Sequence, residues 1–285
     1  MRIDLHAHST ASDGSDTPTG LVGEASRAGL TVLAITDHDT SEGWEEAAAE
    51  AAALGITLVR GIEVSCHTET ADGQPSVHLL AYLPDPHDAT LLREMRRTRE
   101  SRERRAERIV AALARDVDIS YEDVLAHAEE GATIGRPHIA DALVDRGVVK
   151  DRDEAFRTYL FTGSPYYAAH YAPDAVEAVG IVLAAGGIPV LAHPFAWKRG
   201  PHLDESLIEE MTEAGLVGVE AHHPEHSGEG VYRALDIARA LGLLVMGSSD
   251  YHGTGKVQRL GDRTTDALTF EELLSHPHAT AVLTP

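Results

Sequence analysis

Histidines and carboxylates recur in short, ordered settings along this chain of 285 residues, which holds 17 histidines and 46 acids. His6-Ala7-His8 comes first, then Asp13, Asp37-His38, Glu63, His78, His193-Pro194, His222-His223-Pro224 and Asp250-Tyr251-His252. Residues two apart on a strand point the same way, so His6 and His8 can grip one cation, and Asp250 with His252 repeats the pattern. By itself such a pair also fits two unrelated surface histidines. Glu63 lies inside an apolar run, where an unpaired carboxylate is costly to bury; a metal ion or a buried salt bridge would remove that cost. Asp13 sits in a Ser-Asp-Gly loop, either as a ligand or as a turn-forming residue. Asp37 can orient His38 or ligate beside it. His193 is either a ligand or a hydrogen-bonded core histidine. Imidazole and carboxylate without thiolate suit zinc, manganese or iron rather than a cysteine-held structural zinc.

The elements that carry these residues alternate. Apolar, β-branched runs predict strands at Ile3 to Leu5, Thr31 to Thr36, Ile56 to Val64, Val77 to Leu83, Ile188 to Ala192, Val217 to Ala221 and Leu243 to Met246, with a last short one at Thr280 to Leu283. Helical spacing predicts Pro18 to Ala28, Ser41 to Leu54, Asp174 to Ala185, Leu203 to Ala214 and Gly230 to Leu241 between them. Strands separated by such helices form parallel β/α architecture, an α/β barrel rather than an open sheet, although periodicity alone permits either. In a parallel barrel the carboxyl ends of all strands meet on one face. His6, His8, Asp37, His38, Glu63, His193, His222, His223, Asp250 and His252 should therefore converge. His78 opens its strand, so it joins them only if that strand runs antiparallel or its boundary is misplaced.

Between His87 and Tyr171 strand signals fade and the sequence reads as a helical insertion. Helices are expected over Leu91 to Ala114, over Ser120 to Glu129 with Ser120 as N-cap, and from Pro137. The expected division is a barrel of 1–86 and 172–285 with a cover of 87–171. Arg93 to Arg108 contains eight arginines and four glutamates: either an electrostatic guide for an anionic substrate or a solvated helix laced with Glu–Arg pairs.

A formal charge of -22 argues against long nucleic acid as a partner. No apolar run reaches the roughly 18 residues that span a bilayer, and the N-terminus lacks the apolar core of a signal peptide. One cysteine, Cys66, excludes an intramolecular disulfide and fits a reducing cytoplasm.

The ordered set HAHS, TDHD, GIEVS, VHLLAY, LAHP and SSDYH, running from His6 to His252, resembles the PHP (polymerase and histidinol phosphatase) superfamily. Its spacing is most similar to the small phosphoesterase branch that acts on nucleotides. The resemblance implies a distorted (βα)7 barrel with a helical insertion over its mouth. It also implies two or three divalent ions on the carboxyl face. By motif, His6, His8, Glu63 and Asp250 would hold the first; Glu63 would bridge to a second held by His78 and His193; Asp13, His38 and His252 would hold a third. Some members have histidine where Asp13 stands, so the third ion is the variable one.

On the substrate side, Gly135-Arg136-Pro137-His138 precedes a helix, and a guanidinium at a helix N-terminus suits phosphate. Arg136 and His138 are the substrate-binding candidates, with His223 opposite; a structural ion pair is the alternative for Arg136. Asp37 and His223 are the catalytic candidates, His223 as proton donor to the leaving oxygen. Lys256 is a weaker phosphate candidate. No P-loop, GxSxG elbow or Cys/His pair is present. The activity implied is metal-dependent hydrolysis of a small phosphate ester, either the 3′-phosphate of a nucleoside 3′,5′-bisphosphate or the 5′ end of a short oligoribonucleotide. Histidinol-phosphate phosphatase and a non-catalytic metal-binding regulatory domain are the alternatives.

Overall fold

A computed structural model describes residues 1–69, 75–129, 131–196 and 203–285. Among these, seven strands join in one sheet in chain order: β1 (Ile3–Asp4), β2 (Val32–Ile35), β3 (Thr57–His67), β4 (Ser76–Tyr82), β5 (Ile188–Leu191), β6 (Gly218–His222) and β7 (Leu244–Gly247). Neighbours are parallel except β4, which runs against both β3 and β5. Eight residues separate His67 from Ser76, too few for the crossover a parallel partner needs. The sheet curls until its ends nearly meet, where His8 N donates to Tyr251 O at 2.9 Å. A distorted seven-stranded barrel, not an open sheet, is the result.

Alternation along the strands sorts the core. Ile3, Leu5, Val32, Ala34, Val59, Leu80, Tyr82, Val190 and Met246 pack together inside the barrel. Their neighbours Leu33, Ile35, Leu58, Leu79, Ala81 and Val219 face outward against the helices. These include α1 (Pro18–Arg27), α2 (Trp44–Leu54), α7 (Ala175–Ala184), α8 (Glu205–Glu213) and α9 (Gly228–Leu241), while α10 (Ala267–Ser275) lends Phe270 and Leu273 to the inner cluster. Local chemistry starts the helices: Thr17 Oγ1 accepts from Gly20 N at 3.0 Å, with Pro18 opening α1.

Between β4 and α7 lie α3 (Ala89–Leu113), α4 (Tyr121–Leu125), α5 (Arg136–Asp145) and α6 (Arg152–Thr158). The long helix starts two residues before its apolar spacing suggests, because Asp88 caps Thr90 N and Leu91 N. The Ser120–Asp123 capping box opens α4. That helix ends at Leu125, short of the expected Glu129. His127 N and Ala128 N bond three residues back, a tightening last turn, ahead of Glu129, whose negative charge is unfavourable at a helix C-terminus, and Gly131, whose positive φ suits a turn. Ile109, Leu113, Val124, Ile139 and Leu143 give these helices a core of their own.

The expected strand over 280–283 reduces to one bridge, in which Leu58 and Leu283 exchange backbone bonds of 2.8 and 3.0 Å. β4 meets β3 only from Gly61 onward, so the tail covers the edge that the first part of β3 would otherwise leave open.

Candidate metal centre

Strand direction explains how the ligand-type side chains meet. Glu63 pairs with Leu80 across the β3–β4 ladder, and His78 lies two residues from Leu80 on the same barrel-facing side. Because β4 is antiparallel, its beginning lies at the rim where the parallel strands end. The condition set for His78 is thus met, and its Nδ1 stands 2.6 Å from Glu63 Oε1.

Glu63 is fully buried at the centre. His193 Nε2 approaches the same Oε1 at 2.9 Å. Its Oε2 lies 3.2 Å from His6 Nε2, 3.1 Å from His8 Nε2 and 3.1 Å from His38 Nδ1. Asp250 Oδ1 is 3.5 Å from His6 Nε2 and 3.4 Å from His8 Nε2. Asp13 Oδ1 is 3.3 Å from His252 Nε2. Among the described residues, four groups gather ligand atoms within 4.8 Å of one another: His6, His8, Glu63, Asp250; His38, Glu63, His78; His8, Asp13, His38, His252; and His6, His193, Glu220. The first has the composition the resemblance implies. In the second His38 closes the group, with His193 on the same Glu63 oxygen; in the third His8 is added.

These residues fit divalent cations. His6 Nε2 and His8 Nε2 face each other at 3.1 Å, an arrangement that a cation between the lone pairs would stabilise. Burial would raise Glu63, but the charges of His38, His78 and His6 and the His193 bond hold it well below the usual carboxylate range. Burial would lower His8, yet its bonds to Asp250 and Glu63 raise it to about 9. Burial, Lys256 and His8 push His252 down to about 4. A site this dense cannot protonate all its imidazoles, and cations can replace the protons.

The backbone is strained where the site is built. Asp39, His193 and Asp250 occupy the left-handed region with φ of 53°, 28° and 52°, a conformation sustained only where surrounding bonds impose it. Gly14 sits so close to His8 that a Cβ would fall 2.5 Å from the His8 carbonyl oxygen, which lets the Asp13 loop fold back onto the cluster.

Other expected residues land elsewhere. Asp37 is buried beside the site, but its oxygens accept from Ser9 N at 2.8 Å, Ser9 Oγ at 2.7 Å and Ser12 Oγ at 2.6 Å. It therefore holds the loop that carries Asp13. His222 does not converge as expected: it is exposed, because a register shift between Glu220 and His222 breaks the alternation that would turn both inward. His223 does turn inward, with Nε2 3.4 Å from Asp250 Oδ2. Lys256 Nζ reaches the same oxygen at 2.7 Å.

The insertion is clipped to the rim. Thr133 Oγ1 donates to His38 O at 2.7 Å, and His138 Nδ1 accepts from Gly135 N at 3.0 Å while the ring also bonds the Ser12 backbone. Asp39 accepts from Ser65 N at 2.8 Å and pairs with Arg102 at 3.2 Å. Along α3 the arginines divide: Arg93, Arg97 and Arg104 are outward and paired with glutamates, whereas Arg102 and Arg105 turn inward. Arg136 donates to Leu160 O at 2.8 Å. Burial and the Arg136, Arg102 and Arg108 charges lower Arg105 to about 9. Burial and the same Arg102, Arg105 and Arg136, with His78, hold His170 down to about 2.

Glu220, Asp4 and Asp39 were not among the residues expected at the site, and Arg102 and Arg105 were expected only as members of the Arg93 to Arg108 run. Glu220 carried a usable signal: like Glu63, it is an acid within an apolar strand (Val217 to Ala221). Asp4 was signalled the same way in Ile3-Asp4-Leu5. Its carboxylate accepts from Ser249 N at 3.0 Å and Gly261 N at 2.8 Å, fixing the approach to Asp250.

A barrel whose strand-end rim gathers imidazoles and carboxylates around a buried glutamate defines a metal-dependent hydrolase. Residues 4–132 match the PHP domain family. The chain is 36% identical over 265 residues to a 3′,5′-nucleoside bisphosphate phosphatase of Chromobacterium violaceum, covering 93% of this chain and 92% of that protein. It is 33% identical over 220 residues to a 5′-3′ exoribonuclease of Haemophilus influenzae, covering 77% and 78%. A solved structure from Bifidobacterium adolescentis, described as a metal-dependent phosphoesterase, superposes with a TM-score of 0.92 at 39% identity, covering 97% of this chain and 96% of that one. The chain belongs to the PHP family, as a phosphoric ester hydrolase. No helix among the described residues is long and apolar enough to cross a membrane.

Proposed function

We propose that the chain hydrolyses small phosphorylated nucleotides, releasing the 3′-phosphate of nucleoside 3′,5′-bisphosphates or trimming short oligoribonucleotides from their 5′ end. One observation carries the reading: a buried carboxylate–imidazole cluster faces an insertion in which burial and the charges of Arg136 and Arg102 lower Arg105, and burial with the charges of Arg102, Arg105 and Arg136 lowers His170. Asp39 offsets the charge of Arg102, and a substrate anion would offset more of the positive charge gathered there. A small substrate with two phosphates would supply one for each region, whereas the net charge of -22 disfavours a long polyanion. The names of the C. violaceum and H. influenzae relatives point the same way.

In this reading His6, His8, Asp13, His38, Glu63, His78, His193, Asp250 and His252 hold two or three divalent ions of manganese, zinc or iron. Bound there, such ions supply Lewis acidity and lower the pKa of water beside the phosphate. Arg136 binds a substrate oxygen. His138 serves the substrate side by holding the Ser12–Asp13 loop to the insertion. Asp37 positions that loop rather than moving a proton, since Ser9 and Ser12 engage both its oxygens. His223, beside Asp250, gives a proton to the leaving oxygen. The insertion of 87–171 covers the barrel of 1–86 and 172–285. A buried, free Cys66 fits work in the cytoplasm.

The test is phosphate release from adenosine 3′,5′-bisphosphate, a 5′-phosphorylated RNA pentamer and histidinol phosphate, after reconstitution with Mn²⁺, Zn²⁺ or Fe²⁺. Turnover confined to histidinol phosphate would refute the nucleotide reading. No turnover with any ion would favour a binding module.

A further inference from the structure

We infer that Glu220 is a positioning residue for the metal centre: its buried carboxylate locks the His6 imidazole with Nε2 toward the ligand cluster. The inference deepens the metal-binding reading and rests on it.

Glu220 lies on β6 and is wholly buried. Its Oε1 and Oε2 stand 3.1 and 3.2 Å from His6 Nδ1. Oε2 also accepts the backbone N–H of His193 at 3.0 Å, and Oε1 accepts the Ser248 hydroxyl. One side chain on β6 thus ties together the segments after β1, β5 and β7, which carry His6, His193 and Asp250.

The chemistry separates this role from ligation. A carboxylate oxygen has two lone pairs. Oε1 faces His6 Nδ1 and Ser248 Oγ, and Oε2 faces His6 Nδ1 and His193 N, so both oxygens are engaged by donors. Charge on Glu220 keeps the imidazole proton on Nδ1, and the Nε2 lone pair then points at Glu63 Oε2 and Asp250 Oδ1, 3.2 and 3.5 Å away. Without that anchor the ring could turn or take the other tautomer, placing an N–H where a cation needs a lone pair. Residues that orient a ligating histidine in this way typically contribute about 10–100-fold in metal affinity.

The experiment is a Mn²⁺ titration of metal-stripped protein by calorimetry, with metal content after dialysis, for the parent, His8→Ala, Glu220→Ala and Glu220→Gln. The parent should bind Mn²⁺ and His8→Ala should lose affinity, which tests the underlying reading. Glu220→Ala should bind roughly 10–100-fold more weakly yet reach the parental stoichiometry at saturation. Glu220→Gln should fall between them, because its amide oxygen can still accept from Nδ1–H. Parental affinity in the Glu220 variants overturns the inference alone, as does a stoichiometry one ion short at saturation, which would make Glu220 a ligand. If Glu220→Ala does not fold, the isosteric Glu220→Gln decides by the same criteria. A parent that binds no Mn²⁺ overturns the metal reading as well.

Discussion

Replacing Glu63 with glutamine tests the centre most directly, because shape is kept while one charge is removed. Nitrogens of His78, His193, His8, His38 and His6 lie between 2.6 and 3.2 Å from its oxygens. Removing that charge about 4 Å from a cation costs about 4 kcal/mol for each unit of cation charge at an effective dielectric constant of roughly 20. At about 1.4 kcal/mol per decade, affinity for a divalent cation should fall by at least roughly a thousandfold. The amide nitrogen adds to the loss, since it presents N–H groups to imidazole nitrogens or to the ion. Measured at fixed Mn²⁺, kcat/KM for adenosine 3′,5′-bisphosphate should drop by at least about three decades, in step with metal content by mass spectrometry. In EDTA the variant should melt within a few degrees of the parent, because the histidines can shed protons once the carboxylate is gone. Full metal content with kcat/KM within tenfold of the parent would refute the placement of Glu63 at the centre. A collapse of the melting temperature in EDTA would refute the claim that the loss is local.

Three further outcomes follow from the same geometry. Arg136→Ala should raise KM about 10- to 100-fold, the worth of one charged hydrogen bond, with a smaller change in kcat; an unchanged KM would count against phosphate binding. In metal-free protein, the His8 pKa raised from 6.5 to about 9 contributes stability that is complete below pH 6.5 and lost as pH climbs toward 9, about 3 kcal/mol in all. Metal-free melting temperatures should therefore fall across that window while the Mn²⁺-loaded protein holds steady, and parallel profiles would contradict it. Leu33→Ala, at a fully buried outward-facing position of β2, should cost about 2–5 kcal/mol with or without metal, read by urea unfolding.

Residue type and spacing along single segments were enough for much of this protein. Apolar runs marked the strands, alternation placed His6 with His8, and the rule that parallel strands end on one face assembled a rim from distant motifs; Asp250 and His252, beyond the end of β7 and with Asp250 left-handed, went to different ligand groups. Asp13, His38, Glu63, His78 and His193 all stand at that rim. What spacing does not encode is which side chain meets which across the barrel. A register shift after Glu220 sent His222 to solvent and kept Glu220 inside, although both sit at alternate positions of one strand. Asp37 was turned to Ser9 and Ser12 by a loop folded back over His8, and His38 closed a group with His78 because both reach Glu63, one from just after β2 and the other from β4. Arg102 and Arg105 separated from their solvated neighbours on α3 only because one side of that helix packs on the barrel and on the residues after α6. Alternation is a property of one strand and can be read from the chain; register, bulges and helix docking arise from contacts between segments far apart in sequence, so only the packed structure decided them.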